Sequence, residues 1–185
     1  KVKWVTKVRV KLFECGFGYV WLNQGVGDTL MFIRLLRSRL VDCRWQEWNT
    51  HIQNSKRFEM FRQFNSFHAV PAYLSVKMEK HLKFIMTRFR FGVSDIVSHH
   101  LRYRQYSDRD LLCPLCNNAE ENEVHFVFCC PALNDLRVSL LPRKYYNQPS
   151  EFKLVLLMAS RHEEIVKHLA VYLYKAFKIR SIACS

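Results

Sequence analysis

The sequence is poor in chain-breaking residues, with five Gly and five Pro in 185. So few leave little room for long irregular stretches. Long apolar runs are also absent. The longest unbroken aliphatic stretch, Leu154 to Ala159, is far short of the ~20 residues needed to cross a bilayer. Near the start, Lys1, Lys3, Lys7, Arg9 and Lys11 interrupt any apolar core that a secretory signal would need. Gly25 and Gly27 run into Asp28 without the Lys-Ser or Lys-Thr of a phosphate-binding loop. Acids are scarce too, 16 against 29 Lys and Arg. The seven Cys are an odd number and are not evenly spread, which argues against a disulfide framework.

What is present is globular in balance: 49% hydrophobic, 24% charged, with fourteen Phe, eight Tyr and four Trp for core bulk. The length fits one domain, or one with a small module appended. The net charge of +13 works against compactness and points to a polyanionic partner, RNA or DNA, over a merely solvated basic surface. The expected setting is intracellular, a nuclear or cytoplasmic ribonucleoprotein, with no membrane partner.

Residues 7–12 alternate as a strand would, yet Val5, Val8 and Leu12 match a helix stripe almost as well, so periodicity leaves both open. Asp28 suits the N-cap of a helix reaching about Ile52. Its stripe would be Ile33, Leu36, Leu40, Val41, Trp45, Trp48 and Ile52, with Arg34, Arg37, Arg39 and Arg44 mainly elsewhere. Further helices are expected over Phe58–Phe67, over Val76–Phe91 with Leu82, Ile85, Met86 and Phe89 inward and Gly92 as stop, and for a turn or two over Asp95–His100. Three more follow, at Ala132–Leu140, from a Ser150 cap to Met158, and after Ser160-Arg161-His162-Glu163, which reads as a capping box. The last would bury Ile165, Leu169, Tyr172, Leu173 and Ala176. The expected fold is mostly α, a helical domain with an inserted small Cys-Cys-His-Cys zinc knuckle or hairpin. Its expected parts are residues 1–75, an N-terminal helical segment; 76–142, the basic helix plus zinc module; and 143–185, C-terminal helices on the same core.

Four of the Cys lie between 113 and 130, in Cys113-Pro-Leu-Cys116, an acidic Asn-rich loop, and His125-Phe-Val-Phe-Cys129-Cys130-Pro131. A Cys-x2-Cys turn converges two thiolates on one side of an ion, the loop lets the chain return, and a thiolate after His125 fills the fourth corner of a tetrahedron. Cys113, Cys116, His125 and Cys130 are therefore the expected ligands of one structural Zn2+. Cys129 competes for the fourth corner. Cys130 is preferred because Pro131 suits the first position of the next helix, making Cys130 its N-cap; Cys129 would then be a small core residue beside Phe126 and Phe128. A redox Cys-x2-Cys fits less well, given the ligand-distance His, and a catalytic site would keep an open position. Glu121 and Glu123 are candidates to accept the second imidazole N–H of His125, or are solvated loop acids.

Cys-Pro-x-Cys, the acidic loop with Glu-x-x-x-His, the aromatic run and Cys-Pro, together with Thr87-Arg88-Phe89-Arg90-Phe91-Gly92 and Ala176-Phe177-Lys178-Ile179-Arg180, resemble the C-terminal zinc-binding region of non-LTR (LINE-type) retrotransposon reverse transcriptases. The resemblance covers most of the chain and is strongest from about Met78 to Leu136. It implies a non-catalytic part of a longer reverse transcriptase, holding template RNA or target DNA, with the rest of that chain as a further partner. The sequence has no aromatic-x-Asp-Asp motif and no Asp-Asp pair. Asp135, Glu151, Glu163 and Glu164 make no convincing metal cluster, so no enzymatic activity is expected.

Between Lys77 and Arg104 there are seven Lys or Arg against Glu79 and Asp95, with aromatics interleaved. Lys83, Arg88 and Arg90, then Arg102 and Arg104, are the expected phosphate contacts, and Tyr103 and Tyr106 the candidate stacking residues. His99 and His100 read as an exposed pair or extra surface donors. Alternative readings are a zinc-stabilised protein-interaction module or an inactive retroelement fragment.

Overall fold

The structure, a computed structural model, describes residues 3–55, 58–64, 70–101 and 111–184. These residues are mostly helical, and among them extended backbone pairs only as one isolated antiparallel bridge, Leu112 with Glu120. The chain divides into two compact units, Lys1–Asn54 and Ser55–Ser185. The division falls after Asn54, not at residue 75. Residues on both sides of 142 share one core, as expected of C-terminal helices packed on the same core.

In the first unit, α1 (Lys3–Glu14) resolves the ambiguity of residues 7–12 as helix. A lone strand would leave its backbone groups unpaired, whereas a helix satisfies its own. Gly16 ends α1 at φ 81°. Phe17 N–H donates to Leu12 O at 2.7 Å and Gly16 N–H to Phe13 O at 3.1 Å, the paired bonds of a left-handed glycine cap. After α2 (Gly18–Asn23) comes α3 (Thr29–Gln53). Asp28 caps it, its carboxylate accepting from Met31 N–H at 2.9 Å. The expected stripe of α3 is only partly covered. Leu36, Leu40 and Trp45 are half-buried and Ile52 is buried, but Ile33, Val41 and Trp48 are exposed. Apolar residues lie all round this helix, so spacing alone could not select a face.

The second unit holds α4 (Glu59–Phe64), α5 (Ala72–Ser75), α6 (Lys80–Arg90), α7 (Val97–Leu101), α8 (Asn134–Leu140), α9 (Arg143–Tyr146), α10 (Glu151–Met158) and α11 (Glu163–Ala183). Helix α11 is its axis and packs against α6 and α8. Its Leu169, Ala170, Tyr172, Leu173 and Ala176 have no exposed surface, and Met86 and Phe89 of α6 meet the same core. Each such large side chain contributes about 1.5–3 kcal/mol by burial. Gly92 (φ 63°) stops α6 with the same paired bonds as Gly16, Val93 N–H to Arg88 O at 3.0 Å and Gly92 N–H to Phe89 O at 3.1 Å. Ser150 caps α10 through Lys153 N–H at 3.2 Å. The capping box at Ser160 does not form. His162 occupies the N-cap of α11, and Ser160 Oγ accepts instead from His162 N–H at 3.3 Å.

A candidate metal centre between the helices

The segment from Leu111 to Pro131 enters from the isolated bridge and leaves into α8. Cys113 N–H donates to Ala119 O at 2.8 Å and Glu121 N–H to Leu111 O at 2.9 Å. These bonds close a tight loop, in which Asn117 takes a left-handed φ of 50° and donates to Cys113 O at 2.8 Å. The loop points Cys113 and Cys116 the same way. Past Asn122, whose side chain accepts from His125 N–H at 2.8 Å, the chain coils into a π-helical turn, His125–Cys129.

That turn decides which cysteine joins His125. In an α-helix, residues five apart point roughly 140° away from each other, whereas residues four apart share a face. Cys129 would then be the neighbour of His125. Here Cys130 N–H bonds His125 O at 2.7 Å, a five-residue closure. The wider turn brings Cys130 under His125 and turns Cys129 outward. Cys130 is fully buried and Cys129 exposed, so the expectation of Cys129 as a small core residue is wrong. Cys130 also precedes Pro131 as the N-cap of a short 3-10 turn, Pro131–Leu133, leading into α8.

Cys113, Cys116, His125 and Cys130 thus lie together, each offering one ligand atom, all within 4.8 Å of one another. The closest pairs are Cys116 Sγ to His125 Nε2 at 3.4 Å and Cys113 Sγ to Cys130 Sγ at 3.8 Å. The group could hold a metal ion. Three thiols and an imidazole are soft and borderline donors, and four are enough for a tetrahedron. Burial raises the pKa of the Cys113 thiol to about 12 and also raises that of Cys130. Burial works the same way on Cys116, but the backbone N–H of Asn118 and neighbouring thiols prevail and lower it. Burial first, and the charge of Arg137 in addition, lower the pKa of His125 against the opposing pull of Glu121. That direction favours the neutral imidazole, the form a ligand needs.

Glu121 and Glu123 are not solvated; both are buried. Glu121 is committed away from His125. Its carboxylate takes Arg180 Nε at 2.7 Å and Nη2 at 2.8 Å, and Val97 N–H at 2.8 Å. Glu123 Oε1 lies 3.1 Å from His99 Nε2. His99 is itself buried, its Nδ1 accepting from Ser94 N–H at 2.9 Å, which overturns the expected exposure of His99, while the His100 side chain stays 45% exposed. The two acids thus tie the ligand loop to α7 and α11. Tyr172 of α11 donates to Phe126 O at 2.9 Å and Val127 O at 3.0 Å. Arg137 of α8 donates to Val127 O at 3.0 Å and Cys130 O at 2.6 Å. These groups serve carbonyls of the widened turn. Sequence reasoning missed Arg137, Tyr172 and Arg180 in these roles, since their partners lie 7 to 59 residues away.

The basic residues of α6 behave differently from expectation. Arg90 is buried, so it is not a phosphate contact. Its Nη1 donates at 2.7 Å to Met158 O, at the C-terminal end of α10, and its guanidinium lies 5.2 Å from the ring centres of both Phe64 and Tyr73. A cation at a helix C-terminus satisfies an orphan carbonyl and the dipole. Lys83 Nζ donates to Leu74 O at 2.7 Å, and Arg88 donates twice to Val93 O, at 3.1 and 2.8 Å. Both keep partial exposure. Arg102, Tyr103, Arg104 and Tyr106 lie outside the described residues. The seam of α6 and α11 gathers a cluster that sequence reasoning overlooked. The His81 ring lies 4.8 Å from Tyr174, and Lys178 Nζ is 5.8 Å from the Tyr174 ring centre.

No family model, no curated protein and no solved structure matches this chain. Among the described residues, no helix is long and apolar enough to cross a membrane.

Proposed function

We propose that the chain is a zinc-braced, non-catalytic nucleic-acid-binding module of the kind found at the C-terminus of non-LTR retrotransposon reverse transcriptases. The observation that carries the metal half is the convergence of three Sγ atoms and one imidazole nitrogen within 4.8 Å. Cys113, Cys116, His125 and Cys130 fill all four corners with protein, leaving no position for a reacting water, so the ion braces and does no chemistry. Zinc suits this donor set best among abundant divalent ions.

The net charge of +13 supports the nucleic-acid half. With Arg90 buried, the favoured contacts move to partly or fully exposed groups of the second unit. These are Lys83 and Arg88, together with Lys178, Tyr174 and His81 at the α6–α11 seam. Cations there track phosphates while the tyrosine offers a ring for a base. The test is titration of labelled single-stranded RNA and DNA with zinc-loaded protein at several salt concentrations. About five phosphate contacts give a log–log slope of roughly −3.5; an affinity independent of salt refutes the reading.

One observation favours a protein-interaction module instead. Leu30, Met31, Ile33, Leu35 and Val41 of α3 are all exposed, more apolar surface than a helix normally leaves in water. Retention on an acidic polypeptide as strong as on RNA would decide for it.

A further inference from the structure

Arg137 is nearly inaccessible to solvent, at 4% exposure, yet among the described residues no carboxylate contacts it. Its guanidinium hydrogen bonds go to Val127 O, Cys130 O and, at 3.5 Å, the Asn134 side chain. Arginine keeps its proton in proteins, and a buried cation without an anion is costly. Two of its three acceptors belong to the turn that carries His125 and Cys130, and one is the carbonyl of a candidate ligand. Three thiolates and a neutral imidazole around a divalent ion carry one net negative charge. Cys113, Cys130 and His125 are buried as well, so that charge also lacks solvent.

Resting on the zinc reading above, we infer that Arg137 is the countercharge of the metal centre: α8 delivers one buried cation to a buried cluster that becomes singly anionic when the ion binds and three thiols release their protons. The charge of each compensates the burial of the other. Arg137 therefore acts on metal affinity, and not only on the geometry of the turn.

The experiment compares Arg137→Lys, which keeps the charge, with Arg137→Gln, which keeps a donor for one carbonyl but no charge. Affinity for Zn2+ and Co2+ is measured by competition with a chromophoric chelator, and the cobalt thiolate and d–d bands report the coordination. Variants that fold only with metal are scored by the zinc concentration at their folding midpoint. The expected result is a loss of about 10–100-fold for Arg137→Gln, the range for groups just outside a metal's ligands. Arg137→Lys stays within a few-fold of wild type, and the cobalt bands keep their positions in both. Equal losses in the two variants, or no loss in either, overturn the assignment. A wild-type protein that takes up neither ion overturns instead the metal reading on which it rests.

Discussion

Glu121 and Arg180 meet through two hydrogen bonds, 2.7 and 2.8 Å long, across 59 residues of sequence. The carboxylate has no solvent exposure and the guanidinium side chain 13%. Removing one partner of such a pair strands a buried charge, at about 3–5 kcal/mol. Glu121→Ala should show that loss in chemical denaturation of zinc-loaded protein. Glu121→Gln, which can still accept from Val97 N–H, should cost less. Equal stabilities for wild type and Glu121→Ala would contradict the pairing.

The widened turn predicts an asymmetry between adjacent cysteines. Cys129→Ser should leave zinc stoichiometry and the thermal transition unchanged, because its thiol faces solvent. Cys130→Ser should abolish tight binding at the native register. Any residual uptake should vanish in the Cys129→Ser/Cys130→Ser double variant, since a regular α-turn would offer Cys129 to His125. Metal analysis after gel filtration reads all three.

Chelation should unfold the ligand loop. Structural zinc in small domains is worth about 10–16 kcal/mol of apparent binding energy, against a whole-domain margin of about 5–15 kcal/mol. The ion competes with protons for the thiolates, so stability conferred by metal is present at neutral pH and lost as pH falls. Melting curves at descending pH, with and without chelator, should converge in acid. A chelator-insensitive melt at pH 7.5 would count against a structural ion.

Tyr172→Phe should cost about 1–3 kcal/mol, the penalty for stripping the Phe126 carbonyl of its side-chain donor in the core, while Val127 O keeps Arg137 Nε. The residue is fully buried and donates to two carbonyls of the widened turn. The loss should appear in denaturation midpoints, with coordination of cobalt spectroscopically unchanged.

The basic residues separate stability from binding. Arg90→Gln should lower the melting temperature through a lost internal contact, whereas Lys178→Ala and Tyr174→Ala should weaken nucleic-acid binding at unchanged stability. Reversal of that pattern in paired melting and binding experiments would place the interface elsewhere.

The helical character of the chain was legible in its periodicity, its stop at Gly92 and its caps at Asp28 and Ser150, because these signals are local. The metal ligands were legible for the same reason, since all four fall within eighteen consecutive residues. The choice between Cys129 and Cys130 was only half legible. Pro131 pointed to the right residue, but the π-helical turn that enforces it has no sequence signature. Arg90 and the acids of the ligand loop were misread because a charged side chain in sequence looks exposed until a distant carbonyl or cation claims it. Nothing near Arg90 announces Met158 O, and nothing near Glu121 announces Arg180. Residues 7–12 were ambiguous because a strand needs a partner that no local pattern can supply.

The long final helix has a consequence for the order in which the molecule comes into being. A nascent chain displays Cys113, Cys116, His125 and Cys130 well before Tyr172 and Arg180 have been translated. During that interval the ligand loop lacks both the hydroxyl that occupies its freed carbonyls and the guanidinium that neutralises its buried acid. A premature stop shortly after Leu141 would therefore yield a polypeptide with every ligand and Arg137 present, but without the α11 side chains that hold the loop from its other side.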